Sequence, residues 1–224
     1  TINPIVEGRL RRHDCSQITD GAAAVILASP RFAHAHCARL GKPLSAVPKI
    51  EGFGHRTATF LYEQKIADSR ESPFVFPHLR GAFLDALARA GLGSQTDVNA
   101  PIAPETLAAI DAYEVHDCFT ITEYMAIDHL GLTPPGQSFR AIESGAIEKD
   151  GTSPINPSGG LIGLGHPVGA TGVRMLLDAA RQVAGRAGDC QVEGARRVAT
   201  LNIGGSATTT ACFVVGRGDA KSAR

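Results

Sequence analysis

The chain has 224 residues, 43% of them hydrophobic and 20% charged, which is enough apolar material to bury a substantial core and too much for a disordered segment. Lys plus Arg number 22 and so do Asp plus Glu, so no net field favours nucleic acid or an anionic membrane, and an acidic ligand must be held locally. No apolar run approaches the roughly 18 residues that span a bilayer, and the opening residues TINPIVEGRLRRHDC lack the apolar centre of a signal peptide. The five cysteines are odd in number and form no CxxC, so neither a disulfide framework nor a zinc site is indicated. The expectation is a soluble, cytoplasmic protein with reduced thiols, of one large domain or one and a half.

Residues 1–20 read as irregular and basic. GAAAVILAS at 21–29 is a short continuous apolar run, the pattern of a buried strand. PRFAHAHCARLG follows as a helix, with Pro30 allowed in its first turn and Gly41 at its end. A second strand is expected from Ala46 to Phe53. In HLRGAFLDALARAG the residues Leu79, Phe83, Leu84 and Leu87 make a helical face that stops at Gly91. AYEVHDCF reads as a strand running into a loop, followed by a helix from Ile121 to Leu130 that GLTPPGQS closes. Residues 133–158 form a long structured loop, a kind that is usually functional inside a compact domain. TGVRMLLDAARQVAG puts Val173, Leu176, Leu177 and Ala180 on one helical face. Two strands, ARRVATLNI and TTTACFVVGRG, joined by a tight GGSA turn, finish the chain. Strands alternating with helices and a closing hairpin specify an α/β fold with a mixed sheet.

Three short segments carry residue types suited to chemistry. HDCF places the thiol of Cys118 two residues from the imidazole of His116 at a strand end, though a buried cysteine is more often a small hydrophobe. GGLIGLGHPVGATG, residues 159–172, has six glycines in fourteen positions, precedes an amphipathic helix and positions His166 beside a stiffening proline. A phosphate loop is the alternative, but Gly163, Gly165 and Gly169 do not fit GxGxxG and no Walker lysine is present. NIGGS, from Asn202 to Ser206, is either a plain hairpin turn or a turn whose N–H groups form half of an oxyanion hole.

HDCF, NPSGGLIGLGHPVGATG and NIGG, in this order and with these separations, resemble the C-terminal half of the thiolase family in its sterol-carrier-protein-2 type, and TDGAAAVILAS matches that family's SDGAAA-like stretch. The resemblance implies the family's C-terminal domain, a five-stranded mixed sheet with helices on both faces, over residues 21–224, with residues 1–20 as the end of the loop region. By position it implies that His166 activates a nucleophilic cysteine and helps hold the thioester oxygen. His116 takes the place of the water-holding asparagine of most members, and Cys118 takes over as acid/base from a late cysteine whose place Asn202 fills. Gly204 contributes its N–H to a second oxyanion hole, and Asn202, Gly165 and Phe119 lie near the substrate and its CoA. A thiol can be tuned for proton transfer next to a thioester by a nearby imidazole.

The family's nucleophilic cysteine belongs to an N-terminal domain, and none of Cys15, Cys37, Cys190 or Cys212 sits in a matching motif. The implied activity is therefore thiolysis of 3-oxoacyl-CoA, or the reverse Claisen condensation, with the N-terminal half supplied as a separate, cleaved or omitted segment. Coenzyme A enters as substrate, with no bound cofactor or metal, and a homo- or hetero-oligomer is expected. The alternatives are a CoA-dependent retro-aldolase without an acyl-enzyme, and a non-catalytic subunit of the same fold.

Overall fold

The structure, a computed structural model, describes residues 2–218. Thr1 and residues 219–224, which the expected domain boundaries include, lie outside the described residues. The chain opens with a small antiparallel ribbon, β1 (Ile5–Glu7) and β2 (Leu10–Arg11). An extended segment leads to α1 (Pro30–Leu40), which Ser29 caps by accepting from the Phe32 N–H and which Gly41 ends at φ 60°. Cys37 is the helix's buried residue, while Phe32 and Leu40 stay exposed. β3 (Lys49–Thr57), α2 (Tyr62–Ser69) and α3 (Pro77–Arg89) come next. They precede α4 (Pro104–Leu107), β4 (Ala112–Val115) and α5 (Thr120–His129). The remaining elements are α6 (Ser138–Glu143), α7 (Gly160–Leu164), α8 (Thr171–Val183), β5 (Arg197–Gly204) and β6 (Thr209–Gly216).

The main sheet has the order β3-β6-β5-β4, with β4 and β5 parallel and the other pairs antiparallel. Alternation along the strands divides their side chains between two cores. Tyr113, Val115, Ala199, Leu201, Cys212 and Val214 join the cluster built around Leu79, Phe83 and Leu87 of α3. Ala112, Val198 and Val215 face Ala179 and Val183 of α8 instead. Helices therefore cover both faces, as the α/β reading requires. Each fully buried leucine or phenylalanine of this core contributes about 1.5–3 kcal/mol relative to exposure. α3 lies directly on the backbone of β3. A Cβ added at Gly54 would come within 1.8 Å of the Ala82 carbonyl oxygen, so the glycine permits the contact.

Several expectations change. Residues 1–20, expected to be irregular, hold the β1–β2 ribbon, and the expected loop at 133–158 holds α6. The sheet has four strands rather than five: residues 21–29 are extended but pair with nothing among the described residues, and Ile26 and Leu27 are 95% and 74% exposed. A continuous apolar run signals a strand buried on both faces, and here no neighbouring strand covers it. A fifth position beside β4 is taken by a single parallel bridge, Tyr113 to Ile155, too short to count as a strand. The second strand runs from Lys49 to Thr57, later than expected, because a 3-10 turn occupies Leu44–Ala46. In α8 the buried line is Thr171, Met175, Asp178, Ala179, Gln182 and Val183. Val173, Leu176, Leu177 and Ala180 flank it. Polar members are admitted because their partners are inside: Asp178 accepts from Arg174, and Gln182 donates to the Cys190 carbonyl and accepts from the Val192 N–H.

Candidate functional site

The site forms where β4 ends. His116 extends the strand ladder by one residue, its N–H donating to the Leu201 carbonyl at 2.9 Å. The chain then leaves the sheet and enters α5 through Phe119, whose N–H and carbonyl are both held by the Thr122 hydroxyl. Cys118 sits in this corner, half-buried, with its Sγ 3.8 Å from Thr122 Oγ1. Burial pushes the thiol up from its ordinary range, against the opposing effect of its contact with Thr122. The expected imidazole partner is thus replaced by a hydroxyl, because the backbone turns into α5 immediately after His116 and no longer keeps alternate residues on one face.

Asp117, between the two, organises the glycine segment. Its buried carboxylate accepts from the N–H groups of Leu161 at 2.6 Å and Ile162 at 3.3 Å, in the first turn of α7. Gly160 is required there: its φ is +61°, and a Cβ would lie 2.3 Å from Asp117 Oδ2. Asn156 braces the same loop, accepting from the Val115 N–H and donating to Glu123, each at 2.8 Å. Ser158 Oγ donates to Glu114 Oε2 at 2.7 Å. Glu114 is completely buried, and its burial raises the carboxyl to about 7.

α7 delivers Gly165 and His166. The His166 ring lies 5.1 Å from the His116 ring, centroid to centroid, at an interplanar angle of 86°. Both residues are at least nine-tenths buried. Burial, reinforced by the neighbouring His166, pushes His116 down to about 4, and burial also lowers His166, so both rings are neutral near pH 7.

Their hydrogen bonds differ at Nδ1. Thr171 Oγ1 donates to the Pro167 carbonyl at 3.2 Å and stands 2.7 Å from His166 Nδ1, so the imidazole donates at Nδ1 and keeps a free lone pair on Nε2. Asn202 Nδ2 lies 3.5 Å from His116 Nδ1, a long contact that favours a proton on His116 Nε2. One ring is set up to accept a proton and the other to donate a hydrogen bond.

Residues 15–19, expected to end the loop region, run as a strap between the two loops. The Ser16 N–H donates to the Cys118 carbonyl at 2.9 Å, and the His166 N–H donates to the Gln17 carbonyl at 2.7 Å. Cys15 bridges to Phe119 and Ile18 to His166, and Thr19 packs against Gly165 so closely that a Cβ there would meet its methyl at 2.8 Å. The strap brings HDCF and GHP together.

On the opposite side, Asn202 also contacts Met175 Sδ at 3.2 Å. Gly204, two residues farther along β5, faces the same way, and a Cβ added to it would meet no atom within 4 Å. Phe119, Leu164 and Val168 are 41%, 56% and 64% exposed around these loops. The structure thus joins His116, Cys118, His166, Gly165, Phe119 and Asn202 into one set of contacts, and places Gly204 at its edge. Sequence reasoning missed Asp117, Thr171, Asn156 and the strap; the acid inside HDCF and the hydroxyl opening the helix after GHP were the available signals. Among the described residues no group of three or more His, Cys, Asp or Glu side chains is arranged to hold a metal ion. No described helix is long and apolar enough to cross a membrane.

Residues 69–217 match the family described as thiolase C-terminal domain-like. An acetyl-CoA acetyltransferase of Methanothermobacter thermautotrophicus is 35% identical over 213 residues, which is 95% of this chain and 49% of the relative. Sterol carrier protein 2 of Bos taurus is 32% identical over 204 residues, 90% of this chain and 34% of the relative. Benzoylsuccinyl-CoA thiolase subunit BbsB of Thauera aromatica is 33% identical over 201 residues, 90% of this chain and 46% of the relative. The chain therefore spans half or less of the length of these curated relatives. The solved Ltp2-ChsH2(DUF35) aldolase has a similar fold, with a TM-score of 0.59 at 20% identity, covering 78% of this chain and 40% of that one.

Proposed function

This chain belongs to the thiolase family, and from that premise we propose that it supplies the histidine and thiol half of an acyl-CoA acyltransferase site. The observation that carries the reading is the pair of buried, facing imidazoles of His116 and His166, joined through the 15–19 strap to the backbone of Cys118. The nucleophilic cysteine comes from an N-terminal half, on the same polypeptide or another, and residues 21–224 form the C-terminal domain.

In thiolysis of a 3-oxoacyl-CoA, His166 Nε2 takes the proton of that cysteine, whose sulfur attacks the 3-oxo carbonyl. The bond between C2 and C3 breaks, and the electron pair moves onto the thioester as an enolate. The His116 Nε2–H donates to the enolate oxygen, and Cys118 gives its proton to C2, releasing acetyl-CoA. A thiol held protonated by burial is suited to that donation. The Cys118 thiolate then takes the proton of incoming coenzyme A, whose sulfur attacks the acyl-enzyme. The Gly204 N–H stabilises the tetrahedral oxyanion, a contribution of about 3–4 kcal/mol for one preorganised donor. Acyl-CoA leaves, and His166 returns its proton to the nucleophile. Coenzyme A is a substrate in this scheme, and no resident cofactor is needed.

Assay of 3-oxoacyl-CoA thiolysis, in the protein complete with its nucleophile-bearing segment or subunit, tests this reading. Loss of activity in His166→Ala and Cys118→Ala supports it, whereas full activity in His166→Ala overturns it.

The second reading is a CoA-dependent retro-aldolase that forms no acyl-enzyme. The fold likeness to an aldolase is compatible with it, and its enolate also takes a proton at C2, so the two readings differ in the attacking cysteine and not in the acid/base thiol. A trapped acyl-cysteine decides for acyl transfer. A non-catalytic subunit of the same fold predicts unchanged activity in Cys118→Ala. One relative is a thiolase subunit by name, which supports an oligomer with a further polypeptide. The five free cysteines support a reducing, cytoplasmic setting.

A further inference from the structure

The hydroxyl of Thr122 does more than close the first turn of α5. Its proton is donated to the Phe119 carbonyl at 2.6 Å, and its oxygen accepts from the Phe119 N–H at 3.2 Å. The same oxygen stands 3.8 Å from Cys118 Sγ. A hydroxyl has one proton and two lone pairs. With the proton on the Phe119 carbonyl and one lone pair on the Phe119 N–H, the second lone pair is what Thr122 presents to Cys118. The thiol is therefore the donor in that contact.

This arrangement is reversible. The Phe119 carbonyl also accepts the Thr122 N–H at 2.9 Å, so it keeps a partner when the hydroxyl proton turns away from it. Rotation about the Cβ–Oγ1 bond then aims that proton at the sulfur. Cys118 is half-buried, and a charge withdrawn from water is costly without a donor beside it. We propose that Thr122 is a positioning residue for Cys118, accepting from its thiol before proton transfer and donating to its thiolate afterwards. The inference rests on the acyl-transfer reading above, and Thr122 lies outside the three motif segments.

In that scheme the S–H bond of Cys118 breaks, the proton joins the enolate electron pair at C2, and sulfur keeps its own pair as the thiolate. The Thr122 proton stays on Oγ1 throughout and only changes acceptor, from the Phe119 carbonyl to sulfur. When coenzyme A returns a proton to Cys118, the hydroxyl turns back. The contact works against the burial that pushes the thiol up, so removing the hydroxyl leaves burial unopposed and the thiol rises further.

The test uses Thr122→Val, which keeps the shape and loses the hydroxyl, and Thr122→Ser, which keeps the hydroxyl, in the protein complete with its nucleophile-bearing segment or subunit. Thiolysis of acetoacetyl-CoA gives kcat and KM. The pH dependence of iodoacetamide labelling, followed on the Cys118 peptide by mass spectrometry, reads the thiol separately from the nucleophile. In Thr122→Val the expected result is a fall in kcat of about tenfold with KM unchanged, and a Cys118 labelling profile moved to higher pH. Thr122→Ser recovers most of the rate and the parental profile. A folded Thr122→Val protein whose labelling profile has not moved overturns the inference, whatever its rate, because a lost helix cap alone would leave that profile in place. If Thr122→Val does not fold, the infrared S–H stretch of the unsubstituted protein, isolated as the band lost in Cys118→Ala, decides instead. A hydrogen-bonded thiol frequency supports the inference and a free-thiol frequency overturns it. Absence of thiolysis in the unsubstituted protein overturns the acyl-transfer reading, and the labelling profile and S–H band then decide by themselves whether Thr122 holds the thiol.

Discussion

The Thr171 hydroxyl stands 2.7 Å from Nδ1 of His166 while giving its own proton to the Pro167 carbonyl, so the threonine dictates which nitrogen of the imidazole carries the proton, and with it which nitrogen is free for the proposed role of base. Thr171→Val removes the acceptor and frees the tautomer. We expect kcat for thiolysis to fall by on the order of tenfold to a hundredfold, and the acidic limb of the pH–rate profile, where the base becomes protonated, to move. Thr171→Ser keeps the hydroxyl and should keep most of the rate. An unchanged rate and pH profile in Thr171→Val would show that the base is oriented by something else.

Gly160→Ala tests the clasp between HDCF and the glycine segment. The new Cβ meets the Asp117 carboxylate and the residue must hold a left-handed φ. Together these should cost about 2–4 kcal/mol, read as a lower midpoint in urea unfolding. Gly163→Ala, at a position with nothing within 4 Å of its Cβ, is the control and should change stability little.

Glu114 gives a pH dependence with a definite sign. Its carboxyl titrates at about 7 in the folded chain against an ordinary value of 4.5, so the native state favours the protonated form. The contribution to stability is complete below about pH 4.5, declines as pH rises, and is gone above about 7, a change of about 3 kcal/mol. Glu114→Gln should flatten that decline, so the variant gains on the parent as pH increases from 4.5 to 7. Parallel unfolding curves for the two proteins across this window would contradict the assignment.

Gly204→Ala separates function from stability. Because the new methyl enters open space, the unfolding free energy should stay within about 0.5 kcal/mol of the parent. The methyl projects to the side that Asn202 faces, where a thioester would lie, so kcat/KM should drop on the order of a hundredfold. Normal turnover in this variant would remove Gly204 from the site.

Local pattern alone determined a good part of this protein. The spacing of Leu79, Phe83, Leu84 and Leu87 specifies α3, Pro30 and Gly41 bound α1, and the two final apolar runs make the β5–β6 hairpin. These features depend on what a segment can bury or how its own backbone can bend, information its neighbours in sequence contain. The three motif segments with His116, Cys118, His166 and Asn202 were legible for the same reason, as short strings of chemically distinctive residues. Tertiary structure decided the rest. Whether GAAAVILAS pairs as a strand depends on which backbone lies beside it. Which face of α8 is buried depends on whether Asp178 and Gln182 find partners inside. The geometry of the candidate site and its surroundings is of the second kind throughout: Asp117 grips an amide 44 residues away, and Lys65 grips a carbonyl 141 residues away. A hydrogen bond between distant segments exists only where the fold brings donor and acceptor within about 3 Å, and no local periodicity encodes that distance.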